Sequence, residues 1–330
     1  MSKSYSPVLS IVVPLHNEAD GIDQFHASLA TVLKLSGVTY EIIYCNDGST
    51  DDTQLKIKKI AEHDRAVSIV ALTRNFGKEV ATTAGIEHAR GAAIMMIDAD
   101  GQHPVERIPD FLAAWRNGSM IVTGVRTANE HEGFVKKYGS KLFYMLLKRL
   151  SSSEVVAGTT DFRLIDQSVQ IEFLRLSERR RITRGLIDWL GYQQFYITFA
   201  ARERMSGTST YSVTKLVKLA IDSFVSLSNT PLYVTAILGV IVLPISVILG
   251  IFMTFEMLIG DPLSLRITGG AFVLIMILFL VGCLLMSQGI LGLYLSHIHA
   301  ETQNRPLYIV DAVKSIKQVR SEVGAREKNS

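Results

Sequence analysis

Ala93–Pro104 reads AIMMIDADGQHP, an unbroken apolar run that stops on two aspartates one residue apart. A short run with no polar member predicts a strand buried on both faces. Extended backbone past its end would set Asp98, Asp100 and Gln102 on one side, because strand side chains alternate with period two. Two carboxylates held that close repel one another unless a cation or a proton intervenes. Mg2+ or Mn2+ accepts one or two carboxylates, keeps some waters and fills its shell with phosphate oxygens. The stretch therefore predicts a divalent metal that carries a phosphorylated ligand. Capping of the helix after Pro104 would account for one aspartate and leave the other unexplained.

Outward from this strand, LSIVVPL (9–15), YEIIYCN (40–46), VSIVAL (67–72) and MIVTGV (120–125) alternate with helical patterns at 18–35, 51–63, 78–90 and 105–117. Apolar strands separated by amphipathic helices predict an α/β, Rossmann-like domain with a parallel sheet covered on both faces. Ligands of such sheets collect at the carboxyl ends of the strands. There the chain keeps HNE (16–18), NDGSTDDT (46–53), TRNFGK (73–78, with Asn75 and Lys78), DADGQHP (98–104) and RTANEHE (126–132). No G-x-G-x-x-G follows the first strand and no P-loop string occurs, so neither dinucleotide nor P-loop chemistry is indicated. In NDGSTDDT, Gly48 suits a tight turn and Ser49 or Thr50 a helix cap. Asp47 is left over, and an exposed carboxylate there can accept the N–H of a nucleobase.

The charge balance, 34 basic against 31 acidic residues for a net +3, is too even for a nucleic-acid binder. Cys45 and Cys283 offer neither a disulfide framework nor a zinc spacing. The mean hydropathy of +0.25 is high for a soluble enzyme. Pro231–Phe255 and Ile267–Ser296 contain no charged residue, and each exceeds the roughly 20 residues a membrane-spanning helix needs. The short link EMLIGDPLSLR (256–266) makes them an antiparallel hairpin with both flanks on one side. Lys215 and Lys218 before it, and Arg305, Lys314, Lys317 and Arg320 after it, put the body of the protein and both termini in the cytoplasm. KKYGSKLFYMLLKRL (136–150) and YSVTKLVKLAIDSFVSL (211–227) combine apolar helical spacing with lysines, which predicts helices lying on a bilayer. The tail SEVGAREKNS (321–330) is polar and terminal, as disordered ends are.

VVPLHNE, NDGSTDDT, TRNFGKEVATTAGIEHARG, IDADGQHP, DFRLID and RGLIDWLG together resemble glycosyltransferase family 2. Within it the chain is most similar to dolichol-phosphate mannose synthases and to bacterial polyprenyl-phosphate (bactoprenol) glucosyltransferases of the GtrB type. The resemblance covers roughly Ser10 to Pro231 and extends to the two membrane helices. It implies a GT-A (Rossmann-like) domain followed by a two-helix transmembrane hairpin. The expected division is a catalytic domain over 1–210, a juxtamembrane helix over 211–229, spans over 230–256 and 267–296, and a cytoplasmic tail over 297–330. The resemblance also implies a nucleotide-sugar donor, with Pro14, His16, Glu18, Asp47, Asn75, Lys78 and Asp98 at nucleotide-binding positions. Asp98, Asp100 and Gln102 match the Mg2+ or Mn2+ triad. Arg126, Lys136 and Ser140 match the grip on the acceptor's phosphate. The family's GxSKY-like motif stands here as GTSTY, with Thr210 for the lysine, and Arg202 or Arg204 can take over that contact.

The reaction so implied is inverting, metal-dependent transfer of a hexose from a UDP-sugar to a polyprenyl (undecaprenyl-type) phosphate at the inner membrane, by a homo-oligomer. Glucose is the expected sugar, ahead of mannose, N-acetylglucosamine and a modified arabinose. A noncatalytic nucleotide-sugar-binding membrane partner is the alternative from another class. Asp100, Asp161 and Arg126 are the expected catalytic residues. Asp161 is either the base or a group that orients a sugar hydroxyl or an arginine such as Arg163. An acceptor phosphate already anionic near neutral pH needs little help from a base. RRRITRG (179–185) reads as a basic, membrane-facing loop ahead of a further phosphate grip. Deletion of the chain from Pro231 onward is expected to harm transfer while leaving donor binding largely intact.

Overall fold

The computed structural model describes residues 7–127, 158–179, 181–200 and 269–317, together with single helical positions between 237 and 259. Two compact units emerge: Met1–Tyr144 with Ser153–Ser209 and Arg305–Ser330, and Met145–Ser152 with Thr210–Asn304.

The first unit is built on β1 (Leu9–Leu15), α1 (Ile22–Leu35), β2 (Tyr40–Asn46), α2 (Thr53–His63), β3 (Val67–Ala71), α3 (Lys78–His88), β4 (Ala93–Met96), α4 (Ile108–Arg116), β5 (Ile121–Arg126), β6 (Thr159–Asp166), α5 (Gln167–Arg175), α6 (Thr183–Trp189) and β7 (Gln194–Phe199). The sheet order is β3-β2-β1-β4-β6-β5-β7. The four strands β3, β2, β1 and β4 are mutually parallel. The strand pattern anticipates these and β5, but a wholly parallel sheet is not what forms. β6 inserts antiparallel between β4 and β5, while β7 pairs parallel to β5. The sequence of β6, TTDFRLID, opens on three polar, partly buried residues and so lacks the continuous apolar run of its neighbours.

Alternation sorts the sheet into two faces. Ile11 and Val13 of β1 with Phe162 and Leu164 of β6 pack against α1, α2 and α4. Val12 with Ile165 packs against α3, α5 and α6 on the other face. At the sheet's amino end Glu41, 4% exposed, accepts from Ser10 Oγ (2.6 Å), from the Arg90 N–H (2.8 Å) and from Arg90 Nη2 (2.6 Å). This lock lies away from the polar edge. Cys45 is buried in the core, which pushes its thiol pKa far up, and Cys283 is exposed, so both are free thiols.

Two details of chain path bear on the polar edge. The Arg126 N–H donates to the Gly158 carbonyl (2.9 Å), so the chain leaves β5 and re-enters β6 at one point. Residues 308–316 return to the outer edge of β3 and bridge it at Ile69–Ile316 and Leu72–Val310. This segment, expected only as a tail, is a strap on the first unit.

In the second unit α7 runs from Gly269 to Thr302, 34 residues or about 50 Å at 1.5 Å per residue. Its Phe279–Ser296 window has mean hydropathy 1.7 and no buried share, and Ile277, Phe279, Leu284, Leu285 and Leu295 are at least half exposed. An all-round apolar helix suits a membrane span. Among the described residues it is the one helix long and apolar enough to cross a membrane. The earlier expected span and the surface helices at 136–150 and 211–227 lie wholly or mostly outside the described residues.

Candidate active site

The polar strings meet at the carboxyl ends of β1, β2 and β4. Asn17, at φ +57°, puts its N–H on Ser49 Oγ (3.1 Å) and accepts the Thr50 N–H on its Oδ1 (2.9 Å). Asp51 accepts the N–H groups of Ala19 (3.1 Å) and Thr53 (3.1 Å). Burial works to raise its carboxyl pKa, but the Thr53 hydroxyl (2.6 Å) and then those N–H groups hold it below the usual range. Asp51, rather than Ser49 or Thr50, therefore serves the start of α2. Gly48 completes the turn at φ +61°, and a Cβ on it would lie 2.4 Å from the Arg74 carbonyl carbon. Only a glycine lets the 46–50 turn approach the 73–77 loop this closely.

Asp47 corrects the sequence reading. It is 2% exposed, and its two oxygens accept the N–H groups of Phe76 (2.7 Å) and Gly77 (2.9 Å). A buried carboxylate needs such donors, so its work is to shape the loop before α3. His16 Nδ1 lies 3.0 Å from the Asp47 carbonyl, which can only accept, and Asn75 Nδ2 lies 3.1 Å from His16 Nε2. The expected nucleotide positions His16, Asp47 and Asn75 are thus one hydrogen-bonded set. Glu18 sits in the next turn, its N–H on Thr53 Oγ1 (2.9 Å).

β4 ends at Met96; Asp98 follows in irregular backbone, and Asp100 lies in a turn with Gly101 at φ +76°. The extended arrangement inferred for the two aspartates is therefore replaced by a turn, in which Asp100 Oδ1 accepts the Gln102 N–H (3.0 Å). Antiparallel β6 adds what no local pattern signals. Met96 pairs with Arg163 and Ala93 with Asp166; the same register carried past the strand end sets Asp98 across from Asp161. Lys78, the first residue of α3, places its Nζ between them, 2.7 Å from Asp98 and 2.8 Å from Asp161. Burial acts to lower the Lys78 pKa, but the Asp98 and Asp161 charges outweigh it and raise it. Asp161 is held below the ordinary carboxylate range: burial would raise it, but Lys78, then Arg184 and His103, prevail. It is ionised and weakly basic. His103 stacks on Phe162 with centroids 5.2 Å apart, and burial lowers its pKa.

Pro14, Lys78, Asp98, Asp161 and Arg184 line a narrow cleft. Glu79 and Thr183 line it too, the Thr183 N–H donating to Glu79 Oε2 (2.8 Å), and neither was singled out by sequence pattern. Arg163 is not an acceptor-site arginine on Asp161. It is 1% exposed and its Nη1 donates to Asp188 (2.7 Å) and the Arg184 carbonyl (3.3 Å), which fixes α6. Nor do the described residues of 179–185 all form a basic, membrane-facing loop, since Arg181 is buried against the Leu176 and Glu178 carbonyls and the Phe173 ring and Thr183 opens α6. Arg126 is exposed at the carboxyl end of β5, on the same edge. Lys136, Ser140, Arg202, Arg204 and Thr210 lie outside the described residues.

No group of three or more His, Cys, Asp or Glu capable of holding a metal occurs among the described residues. Asp98 and Asp100 with the Gln102 amide oxygen still fit a hard divalent ion, which takes oxygen ligands and completes its shell with water and phosphate. A softer metal would want nitrogen or sulfur.

Residues 10–173 match the model of glycosyl transferase family 2. The uncharacterized glycosyltransferase sll0501 of Synechocystis is 38% identical over 302 residues, 92% of this chain and 94% of its own. The SfII prophage-derived bactoprenol glucosyl transferase of Shigella flexneri is 35% identical over 303 residues, 92% of this chain and 97% of its own. Among solved structures, glucosyl-3-phosphoglycerate synthase of Mycobacterium tuberculosis, in complex with Mn2+, UDP-glucose and phosphoglyceric acid, covers 67% of this chain and 78% of its own at TM-score 0.44 and 18% identity. With residues 10–173 matched by the family model and relatives 35–38% identical over 92% of its length, the chain belongs to glycosyltransferase family 2, in the company of the bactoprenol glucosyl transferases, and is a glycosyltransferase with a GT-A-like mixed α/β domain.

Proposed function

We propose that this glycosyltransferase moves a hexose, glucose from UDP-glucose, to the phosphate of a polyprenyl chain, with inversion at the anomeric carbon. The observation that carries the reading is the Asp98–Lys78–Asp161 cluster at the cleft. It joins an expected metal ligand to the carboxylate nearest the expected reaction centre. Relatives named bactoprenol glucosyl transferases, aligned over 92% of the chain, support the acceptor.

In this reading Pro14, His16 and Asn75 border the nucleoside, and Asp47 acts behind them by fixing the loop. Asp98, Asp100 and Gln102 would hold Mg2+ or Mn2+, which when bound neutralises the charge of the departing diphosphate. Lys78 keeps the two carboxylates close in the free enzyme and remains a cation beside the donor. The lipid phosphate attacks as an anion, so Asp161 is not required to take a proton. Its depressed pKa suits it better to orienting Lys78 and a sugar hydroxyl. Arg126, with Lys136, Ser140, Arg202 and Arg204, grips the acceptor's phosphate, for which guanidinium forks are suited.

The domain limits are proposed as a catalytic part over 1–210, a juxtamembrane helix over 211–229 and two spans over 230–256 and 267–296. Catalysis then faces the cytoplasm at the inner membrane, in a homo-oligomer. The test is transfer of radiolabelled sugar from a panel of UDP- and GDP-sugars to short polyprenyl phosphate in detergent, with Mg2+, Mn2+ or EDTA. Metal-dependent labelling from UDP-glucose, lost in Asp100→Ala, is the expected result. Labelling from another donor would correct the sugar, and labelling that persists in EDTA would overturn the metal's role.

A further inference from the structure

The strap at residues 308–316 makes more bonds than protection of a sheet edge requires. An open edge such as that of β3 invites pairing with other chains, and covering it is an ordinary solution. The bonds between Ile69 and Ile316 (2.8 and 2.9 Å) and from the Asp311 N–H to the Ala71 carbonyl (2.8 Å) are accounted for in that way. Three others are not.

Past the end of β3 the Thr73 N–H donates to the Ile309 carbonyl (3.0 Å), at the root of the loop whose Phe76 and Gly77 amides hold Asp47. On the strap's other flank Gln54 Nε2 donates to the Lys314 carbonyl (2.9 Å). The Gln54 Oε1 in turn accepts from Asn46 Nδ2 (2.7 Å), and Asn46 Oδ1 accepts the Ser49 N–H (3.0 Å). Tyr308 OH donates to Glu87 Oε2 (2.6 Å) in the last turn of α3, the helix that begins with Lys78. The strap therefore reaches both walls of the cradle formed by His16, Asp47, Gly48 and Asn75, and the far end of the helix that carries the cleft lysine.

We propose that residues 308–316 are a positioning element of the donor site, buttressing the 46–50 turn through Gln54 and the 73–77 loop through Thr73. The inference rests on the reading of that cradle as the nucleotide site. It gives the segment that follows the apolar helix α7 a part in donor affinity. The expected independence of donor binding from the chain beyond Pro231 then fails, because that deletion removes the buttress along with the helices.

The test uses the full chain in detergent. Asp311→Pro with Ile316→Pro removes both strap N–H groups that bond β3. Gln54→Met fills the same space and breaks the whole relay, losing both the bond to the Lys314 carbonyl and the one from Asn46 while leaving the β3 bonds of the strap in place. Amide exchange is followed at Ile69, Phe76 and Gly77, and UDP and GDP affinities are measured beside it. In the double variant Ile69 should exchange faster as the strap lifts. Phe76 and Gly77 should lose protection with it, and UDP affinity should fall about fivefold or more. Gln54→Met should weaken UDP about two- to threefold with Ile69 protection unchanged. A lifted strap with Phe76 and Gly77 still protected and UDP affinity unaltered would overturn the proposal, as would an indifferent Gln54→Met. If Phe76 and Gly77 lose protection while the parent protein binds neither UDP nor GDP, the buttress stands and the nucleotide reading falls.

Discussion

Gly48→Ala tests whether close approach of two loops builds the cradle. At φ +61° an alanine there incurs roughly 1–2 kcal/mol from left-handed backbone alone. Its Cβ would also lie 2.4 Å from the Arg74 carbonyl carbon and 2.6 Å from the Asn75 nitrogen, well inside van der Waals contact with backbone that has no rotamer to escape into. Overpacking of that kind adds about 1–3 kcal/mol. The sum, about 2–5 kcal/mol, is a large part of the roughly 5–15 kcal/mol that holds a domain folded. It should lower the thermal midpoint by roughly 4–20 °C for a domain of this size. Two control glycines separate the contributions. Gly118→Ala has φ +98° with nothing within 4 Å of the new Cβ, so it carries the backbone cost alone. Gly91→Ala has no left-handed φ but meets the Ser10 nitrogen at 2.7 Å, so it carries a clash away from the cradle. Thermal unfolding followed by tryptophan fluorescence, with UDP titration on each protein, reads both effects. Gly48→Ala should melt lowest and bind UDP at least about tenfold more weakly, while the controls bind it normally. A Gly48→Ala protein that melts with Gly118→Ala and binds UDP unchanged would refute the reasoning.

Glu41→Ala removes the lock at the sheet's amino end. Because Arg90 is 44% exposed, a cost of about 2–3 kcal/mol is expected rather than the 3–5 of a fully buried pair, with UDP affinity unchanged by titration. Asp166 has its pKa lowered: burial opposes this, but hydrogen bonds from Trp115 Nε1 and Ser168 prevail. Since the folded value is below the unfolded one, its stabilisation is complete above an unfolded pKa of about 3.9 and is lost as pH falls through the folded value. Asp166→Asn should therefore melt lower at neutral pH, and its midpoint should drop less than the parent's between about pH 5 and 3. Lys78→Met should bind Mn2+ about two- to fivefold more tightly without nucleotide by electron paramagnetic resonance, as the partly exposed ammonium stops competing for Asp98. Equal Mn2+ affinity would remove Lys78 from the metal's surroundings. Asp161→Asn should slow transfer less than Asp98→Ala in the labelled-sugar assay, and abolished turnover with intact UDP binding would restore Asp161 as an obligatory base.

The strands that run from Leu9 to Met96 were legible because each is a buried apolar run, and periodicity survives translation into space. The turn residues were legible by type: Gly48 needs its φ, and Asp98 and Asp100 stand out as charges at a buried strand's end. What stayed hidden is nonlocal. Asp47 looks exposed in sequence because the amides that solvate it belong to Phe76 and Gly77, thirty residues on. Asp161 is singled out by resemblance, but its place across from Asp98 depends on β6 running antiparallel, which alternation alone does not specify. Arg163 and Arg181 read as surface cations until carbonyl groups of neighbouring segments and Asp188 surround them. The strap pairs residues more than 240 positions apart, beyond the reach of any window.

The Arg126–Gly158 hydrogen bond closes the chain between β5 and β6 at its neck. An insertion whose two ends are pinned together can change in length or composition without shifting the register of the strands it joins, since lengthening a closed loop adds only about 0.6 kcal/mol per doubling. The neck opens at the edge that carries Arg126, beside the proposed acceptor phosphate. Exchanging residues 128–157 for those of a relative should therefore leave the pairing of β5 with β6, and the strands beneath the proposed donor site, as they are.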